Sequence, residues 1–189
     1  SLDDLLPLVL NTGCRNVIRL GLAAPTFGAH NVYLHPKQYP AVSGKIIRLA
    51  QQAAALDICL EFDCGFVRCM FSDEDLAVLQ AARADIGWHC GPVLDVDTDG
   101  MAVHCFPLSD KAAIPVEESS EAASLRQVLT DQLRPFRAVG VYPACSACRF
   151  KQEGVCSGGC LAATIRRFRQ GASTVPLRPD VALNTPSMI

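Results

Sequence analysis

The sequence predicts an α/β segment with parallel strands, which is part of a larger barrel, followed by a small α+β segment built on a β-hairpin and a helix. Short apolar runs alternate with helix-like stretches in the first half, and Asp99-Gly100 divides an alternating stretch in the second. Two parallel strands make no stable sheet alone, so the first segment is expected to be a partial parallel barrel. The predicted segments are residues 1–86 and 87–170, with an irregular tail at 171–189.

In the first segment, helix-like and strand-like stretches follow one another in order. Ser72 precedes three acidic residues, and this pattern is typical of an N-capped helix start. A strand, a long loop, a helix and a second strand in this order are typical of parallel pairing. The predicted helices are 2–10, 42–56 and one from Ser72, and the predicted strands are 16–22 and 57–62.

In the second segment, residues 93–105 read VLDVDTDGMAVHC, which predicts two antiparallel strands joined by a turn at Asp99-Gly100. Residues 109–120 are polar and predict a linker. A helix is predicted over 121–134, stopped near Pro135, and another over about 161–169.

Composition and charge exclude several classes of function. The 189 residues are 50% hydrophobic, enough for a folded core, and their net charge of -2 predicts no nucleic-acid partner. The N-terminus lacks the basic and apolar regions of a signal peptide, and no apolar run approaches the roughly 20 residues of a membrane span. We therefore expect a cytoplasmic protein that inserts into no membrane.

Ten cysteines are unusual for such a chain. Because the cytoplasm keeps thiols reduced, the pattern indicates metal or cluster ligands rather than disulfides. Soft thiolates select zinc or iron–sulfur clusters. The strongest spacing is Cys145-x2-Cys148 followed by Cys156-x3-Cys160, and Cys90 and Cys105 flank the predicted hairpin.

Zinc is the simpler alternative for the four clustered cysteines. Cys145, Cys148, Cys156 and Cys160 could form one tetrahedral site in a non-catalytic module that binds a peptide or protein partner. That interpretation leaves the cysteines at the two ends of the hairpin unexplained.

The order Cys90-x9-Gly100-x4-Cys105, a gap, then Cys145-x2-Cys148-x7-Cys156-x3-Cys160 resembles the SPASM region of radical SAM (S-adenosylmethionine) enzymes. The resemblance covers residues 90–160, and the x7 spacing replaces the usual x5. The resemblance implies an iron–sulfur protein with one or two auxiliary [4Fe–4S] clusters. Such enzymes modify peptide or protein side chains, and the clusters serve electron transfer, with an electron donor as partner, or substrate ligation.

By the resemblance, each cluster takes three of the named cysteines. The first is held by Cys90, Cys105 and Cys160, and the second by Cys145, Cys148 and Cys156. In the family a later cysteine completes the second cluster, but here no cysteine follows Cys160. Asp180 is a weak candidate to replace it, and the first cluster is left with an open iron that could bind substrate.

The Cys-x3-Cys-x2-Cys motif that holds the SAM-cleaving cluster is absent from these 189 residues. The chain is therefore expected to correspond to the C-terminal half of such an enzyme, and to use SAM only together with an N-terminal half. Catalytic residues cannot be assigned from the sequence.

The remaining candidates lie at the end of the second predicted strand. Glu61 and Asp63 could face the barrel mouth and contact substrate. Cys64 and Cys69 flank the following turn, where core packing or loop structure is favoured over a functional role. We expect Cys14 and Cys59 in the core, and we expect His89 and His104 to point away from the ligands beside them because strand neighbours alternate faces.

Overall fold

The computed structural model describes residues 2–13, 15–27 and 31–171. The elements follow one another as helix and strand in the first part and as a small sheet and helices in the second. The helices are α1 (Leu5–Thr12), α2 (Tyr39–Ala55), α3 (Asp73–Ala81), α4 (Ala122–Arg137), α5 (Arg149–Gln152) and α6 (Leu161–Gly171); the strands are β1 (Val17–Leu20), β2 (Cys59–Phe62), β3 (Asp95–Val96), β4 (Met101–Val103) and β5 (Ala113–Pro115).

Strands β1 and β2 pair in parallel, as expected for two strands joined by a helix. Val17 lies opposite Cys59 and Leu20 opposite Phe62. A parallel bridge from Glu61 to Asp85 continues the sheet on the other side of β2. Helix α2 buries Ile46, Leu49, Ala50 and Ala53, at the spacing of one helix face.

Strands β3, β4 and β5 form an antiparallel sheet, and β3 and β4 are the predicted hairpin. The Asp97 carboxylate accepts hydrogen bonds from the backbone N–H groups of Asp99 and Met101, which closes the turn. Gly100 has φ of 74° there, a conformation that glycine adopts without a steric penalty.

Two predictions about the second segment are wrong. The stretch 109–120 is not only a linker, because β5 lies within it and pairs with β4. Helix α4 does not stop before Pro135 but continues through it to Arg137. The carbonyl of Asp131 that Pro135 leaves without its helical partner belongs to an exposed residue, so water can satisfy it. The predicted tail lies outside the described residues, apart from Gly171.

One hydrophobic core joins the two predicted segments. It contains residues from α2, β2 and α3 together with residues from α4 and α6. Trp88 lies at the junction: its ring packs on Phe71 at 5.8 Å, and its carbonyl accepts the backbone N–H of Ser157. Neither described sheet closes into a barrel. In the described part of the chain, every helix is too short or too polar to cross a bilayer.

Candidate functional site

Eight of the nine described cysteines, all of them free thiols, fall into two groups. The hairpin group lies around the base of the β3–β4 hairpin and the start of α6. The loop group lies around the loop between α4 and α6. The hairpin group is Cys64, Cys90, Cys105 and Cys160, and the loop group is Cys69, Cys145, Cys148 and Cys156.

The thiols of the hairpin group lie near enough to raise one another's pKa. Burial, followed by the nearby thiols of Cys90 and Cys160, raises the pKa of Cys105 to about 12. Burial also raises the pKa of Cys160 to about 12, with Cys90 and Cys64 contributing. For Cys64 partial burial is the larger cause of a raised pKa, and Cys90 is the next. Each of these effects requires the sulfurs to be near neighbours.

The loop group lines a single small cavity. All four of its thiol-bearing residues contribute to the wall, together with Val67, Phe150, Lys151 and Gly158. Partial burial raises the pKa of Cys69, and the thiols of Cys145, Cys156 and Cys148 raise it further. Four thiols from two distant parts of the chain therefore face one cavity.

The hairpin group is held by hydrogen bonds from side chains that belong to the second segment. The backbone N–H of Cys90 donates to Ser157 Oγ at 3.0 Å. The Arg137 guanidinium donates to the Cys90 carbonyl and contacts His104 Nε2 at 2.7 Å. Since Arg137 can only donate, His104 Nε2 accepts and its proton lies on Nδ1. The Arg137 side chain thus links Cys90 to His104, which precedes Cys105 in the sequence.

Glycines allow the loop to fold closely around Cys145 and onto the turn between Cys64 and Cys69. A Cβ atom on Gly140 would lie 2.6 Å from Cys145 Cβ and 2.7 Å from its sulfur. A Cβ on Gly159 would lie 2.8 Å from Val67 Cγ1. Both distances are shorter than side chains allow, so the residues at these two positions must lack Cβ.

Backbone N–H groups already point at two of the sulfurs. Gly158 N lies 3.4 Å from Cys156 Sγ. The N–H groups of Ala162 and Ala163, in the first turn of α6, are near enough to the Cys160 sulfur to lower the pKa of its thiol, against the larger effect of burial. Such donors stabilise a thiolate over a thiol. The surroundings are thus suited to thiolates bound to a metal, and the raised pKa values describe the same groups while they carry protons.

Cys64 and Cys69 are the two members of the cysteine groups that the sequence analysis did not select as candidate ligands. Both lie in the turn after β2, and both are exposed, although partial burial raises the pKa of each thiol. The available signal was their position at the carboxyl end of a parallel strand, where sites gather in α/β folds. Their partners are distant in sequence, so spacing alone gave no reason to join them to the other cysteines.

The other candidates lie apart from the two groups or play local roles. Glu61 is half-buried within β2, and Asp63 is exposed and pairs with Arg19 at 3.5 Å. His89 Nε2 bonds the Gly154 carbonyl at 2.9 Å. Cys59 is half-buried, with its sulfur 3.6 Å from the Arg83 carbonyl oxygen. Cys14 and Asp180 lie outside the described residues.

The described residues show no single-ion site. Within residues 2–13, 15–27 and 31–171, no three His, Cys, Asp or Glu side chains converge closely enough to bind one metal ion. Cys160 does not line the cavity that Cys145, Cys148 and Cys156 share, and the thiols of Cys90 and Cys64 contribute to its raised pKa. Four thiolates around a cubane bind four different irons, so they stand further apart than around zinc.

A second cavity, of about 310 Å³, lies beside the loop group between the 33–37 stretch, the 141–143 stretch and α6. Tyr142 lines it and is close enough to Cys69 and Cys145 for their thiols to raise its pKa to about 12, after burial as the larger cause. The cationic side chains on its wall belong to Lys37, Arg166 and Arg167.

Comparisons with protein-family models, with curated proteins and with solved structures gave no match. The resemblance to the SPASM pattern therefore rests on the cysteine spacing and the hairpin alone.

Proposed function

We propose that this protein binds two [4Fe–4S] clusters, one at the hairpin group and one at the loop group. The observation that carries the proposal is the separation of eight thiols into two groups of four, with Cys160 apart from Cys145, Cys148 and Cys156. The division matches the ligand sets that the SPASM resemblance implies. The cationic groups of Arg137 and Lys151 lie beside one group each and suit an anionic centre.

The roles of the chain's own residues follow from this arrangement. The six cysteines of the motif bind iron as thiolates and release their protons in doing so. Gly158, Ala162 and Ala163 donate backbone hydrogen bonds to ligand sulfurs. A bound [4Fe–4S] cluster supplies one-electron chemistry, whose potential depends on such hydrogen bonds and on nearby charge.

For the biological setting, we propose the auxiliary-cluster part of a radical SAM-type enzyme that modifies a peptide or protein and works with an electron donor. We place it in the cytoplasm, where thiols stay reduced. The cavity beside Tyr142 supports a partner of this kind, since it has the size of a ligand site and a cationic wall. Glu61 and Asp63 remain candidates for contact with substrate.

Anaerobic reconstitution with iron and sulfide tests the proposal. We expect a brown protein with broad absorption at roughly 400 nm and about eight irons per chain. A colourless protein that binds one zinc and no iron under these conditions would refute it. Cys90→Ser with Cys105→Ser should remove about half of the iron, whereas a zinc site at Cys145, Cys148, Cys156 and Cys160 would be unaffected.

A further inference from the structure

We propose that Cys64 and Cys69 are the fourth thiolate ligands of the hairpin and loop clusters, so that both clusters are held by four cysteines and neither has an open iron. The inference rests on the proposed function. It assigns two ligands outside the motif and replaces the downstream cysteine that this sequence lacks.

The contacts of Cys69 support its assignment as the fourth ligand of the loop cluster. It lines the same cavity as Cys145, Cys148 and Cys156, and it is the only cysteine there from outside the loop. The short 3-10 helix Arg68–Met70 fixes its backbone. Arg68 lies over the Phe150 ring at 4.8 Å and thereby ties this turn to α5, next to Cys148.

The contacts of Cys64 support its assignment as the fourth ligand of the hairpin cluster. The Cys90 thiol is near enough to Cys64 to raise its pKa, and the Cys64 thiol is near enough to Cys105 and Cys160 to contribute to theirs. The Cys64 carbonyl accepts the backbone N–H of Leu22 at 3.4 Å, which fixes the chain where it leaves the sheet. No downstream or hairpin residue is therefore required to complete this group.

The turn between the two cysteines is anchored in the core, so both thiols are presented in fixed positions. Phe66 and Val67 are 2% and 1% exposed, and Val67 packs against Gly159 beside Cys160. The Tyr39 hydroxyl reaches the Gly65 carbonyl at 3.5 Å. Rigid support of this kind is what a ligand needs to hold a metal site in one geometry.

If both clusters have four cysteine ligands, electron transfer is favoured over substrate ligation, the other role that the resemblance implies. Substrate ligation needs an iron without a protein ligand, and four thiolates leave none. The Cα atoms of Cys64 and Cys69 are at most roughly 18 Å apart, since five extended residues span no more. A single turn would therefore connect two closed centres, an arrangement suited to electron transfer.

The test uses the full chain, reconstituted anaerobically, with cyanide as the probe for an open iron. After anaerobic reduction with dithionite, wild-type protein should show no change in its electron paramagnetic resonance spectrum on addition of cyanide. Cys69→Ala and Cys64→Ala, which leave no donor atom at the position, should each give one cluster whose signal changes with cyanide, while the signal of the other cluster does not change. Cys59→Ala, at a position on β2 outside both groups, is the matched control and should behave as wild type.

The outcomes separate this inference from the proposed function. If wild-type protein binds iron but its spectrum responds to cyanide, or if Cys64→Ala and Cys69→Ala match wild type, the ligand assignment is wrong and cluster binding stands. If wild-type protein binds no iron, the proposed function fails, and the ligand assignment with it.

Alkylation of wild-type protein keeps the inference testable if the alanine variants do not fold. Cys64 and Cys69 are exposed and Cys59 is half-buried, so an unligated thiol at either of the first two positions should react readily with iodoacetamide. We expect mass spectrometry to find both protected in the iron-loaded protein and labelled after a chelator removes the iron. Labelling of either residue as fast in the loaded protein as in the stripped protein would overturn its assignment.

Discussion

The two cysteine groups are built in different ways from the same kind of ligand. Three members of the loop group lie within 12 consecutive residues, Cys145 to Cys156, and only Cys69 comes from elsewhere. The hairpin group takes its four members from four separate stretches of chain. Its Cys105 and Cys160 have thiol pKa values raised to about 12, mainly by burial.

The hairpin group therefore depends on the whole fold, and the loop group depends on it less. The loop group needs one local loop and one turn, whereas the hairpin group needs the sheet, the hairpin and the start of α6 in place together. Changes in the loop should therefore remove one cluster, while changes at the hairpin should also reduce the stability of the core. The following predictions test this contrast.

The largest effect is expected for Gly140→Ala. The new methyl group would lie 2.6 Å from Cys145 Cβ and 2.8 Å from the Gly158 carbonyl oxygen, so Cys145 must move. We expect the loop cluster to be lost and the iron content to fall from about eight to about four per chain. Overpacking should also cost roughly 1–3 kcal/mol of unfolding free energy.

Gly44→Ala is the matched control. Gly44 is exposed in α2, and a Cβ there meets nothing within 4 Å. Because alanine favours helix, this variant should be more stable by about 1 kcal/mol and keep all of its iron. Equal iron loss in both variants, measured by elemental analysis, would show that the close approach at Gly140 is not what matters.

Arg137→Met should affect the hairpin group alone. The variant removes the donor to the Cys90 carbonyl and to His104, a residue with no exposed surface. We expect a loss of about 1–3 kcal/mol in urea unfolding. Removal of the cation should lower the reduction potential of one cluster in a redox titration and leave the other unchanged.

Arg134→Met, one turn earlier on α4, controls for the loss of a surface charge. Arg134 is exposed and pairs only with Asp131 among the described residues. It should change neither potential. A shift in both potentials with Arg137→Met would contradict the assignment of this residue to the hairpin group.

The iron-free protein should lose stability as pH rises above about 9. Burial raises the pKa of the Cys105 and Cys160 thiols in the folded chain from the ordinary value of 9.0 to about 12. Between these values the folded state binds more protons than the unfolded state, so unfolding free energy falls with pH by roughly 1 kcal/mol per unit and thiol. Urea midpoints at pH 8 and 10, with chelator and without oxygen, measure the slope.

Cys105→Ser should reduce that slope, because serine does not titrate in this range. Cys59→Ser should leave it unchanged. A flat profile for the iron-free wild-type protein would show that the hairpin thiols are not desolvated in the folded chain.

The smallest effect is expected for Asp63→Asn. Asp63 and Arg19 form an ion pair whose side chains are 50% and 66% exposed, and such pairs contribute less than about 1 kcal/mol. Thermal unfolding should shift little, and iron content should not change. A loss of iron from this variant would place Asp63 in the cluster site rather than at its edge.

Much of the local structure could be predicted from patterns in the sequence. The hairpin at Asp99-Gly100 and the capped start of α3 are observed, since short-range signals decide them. Strand β5 could not be found in this way, because its pairing with β4 depends on the fold around it. Pro135 is tolerated within α4 because the Asp131 carbonyl that it leaves without a helical partner is on an exposed residue, where water can bind it.

For the candidate site too, part could be predicted from the sequence and part could not. The spacing of Cys145, Cys148, Cys156 and Cys160 indicates metal chemistry by itself, because thiols so close in sequence can reach one centre. The addition of Cys64 and Cys69 could not be predicted, because neither has a partner nearby in sequence. The packing of Val67 on Gly159 brings their turn to both groups.

The sequence by itself determined which side chains are available: ten thiols, six of them in an order that resembles the SPASM pattern, with a hairpin that has glycine at its turn. Only the tertiary structure decided how the thiols are divided. It separates Cys160 from its three neighbours in the motif and brings the turn after β2 between the two groups. The physical reason is that burial of the apolar residues in this turn positions thiols that no local spacing relates.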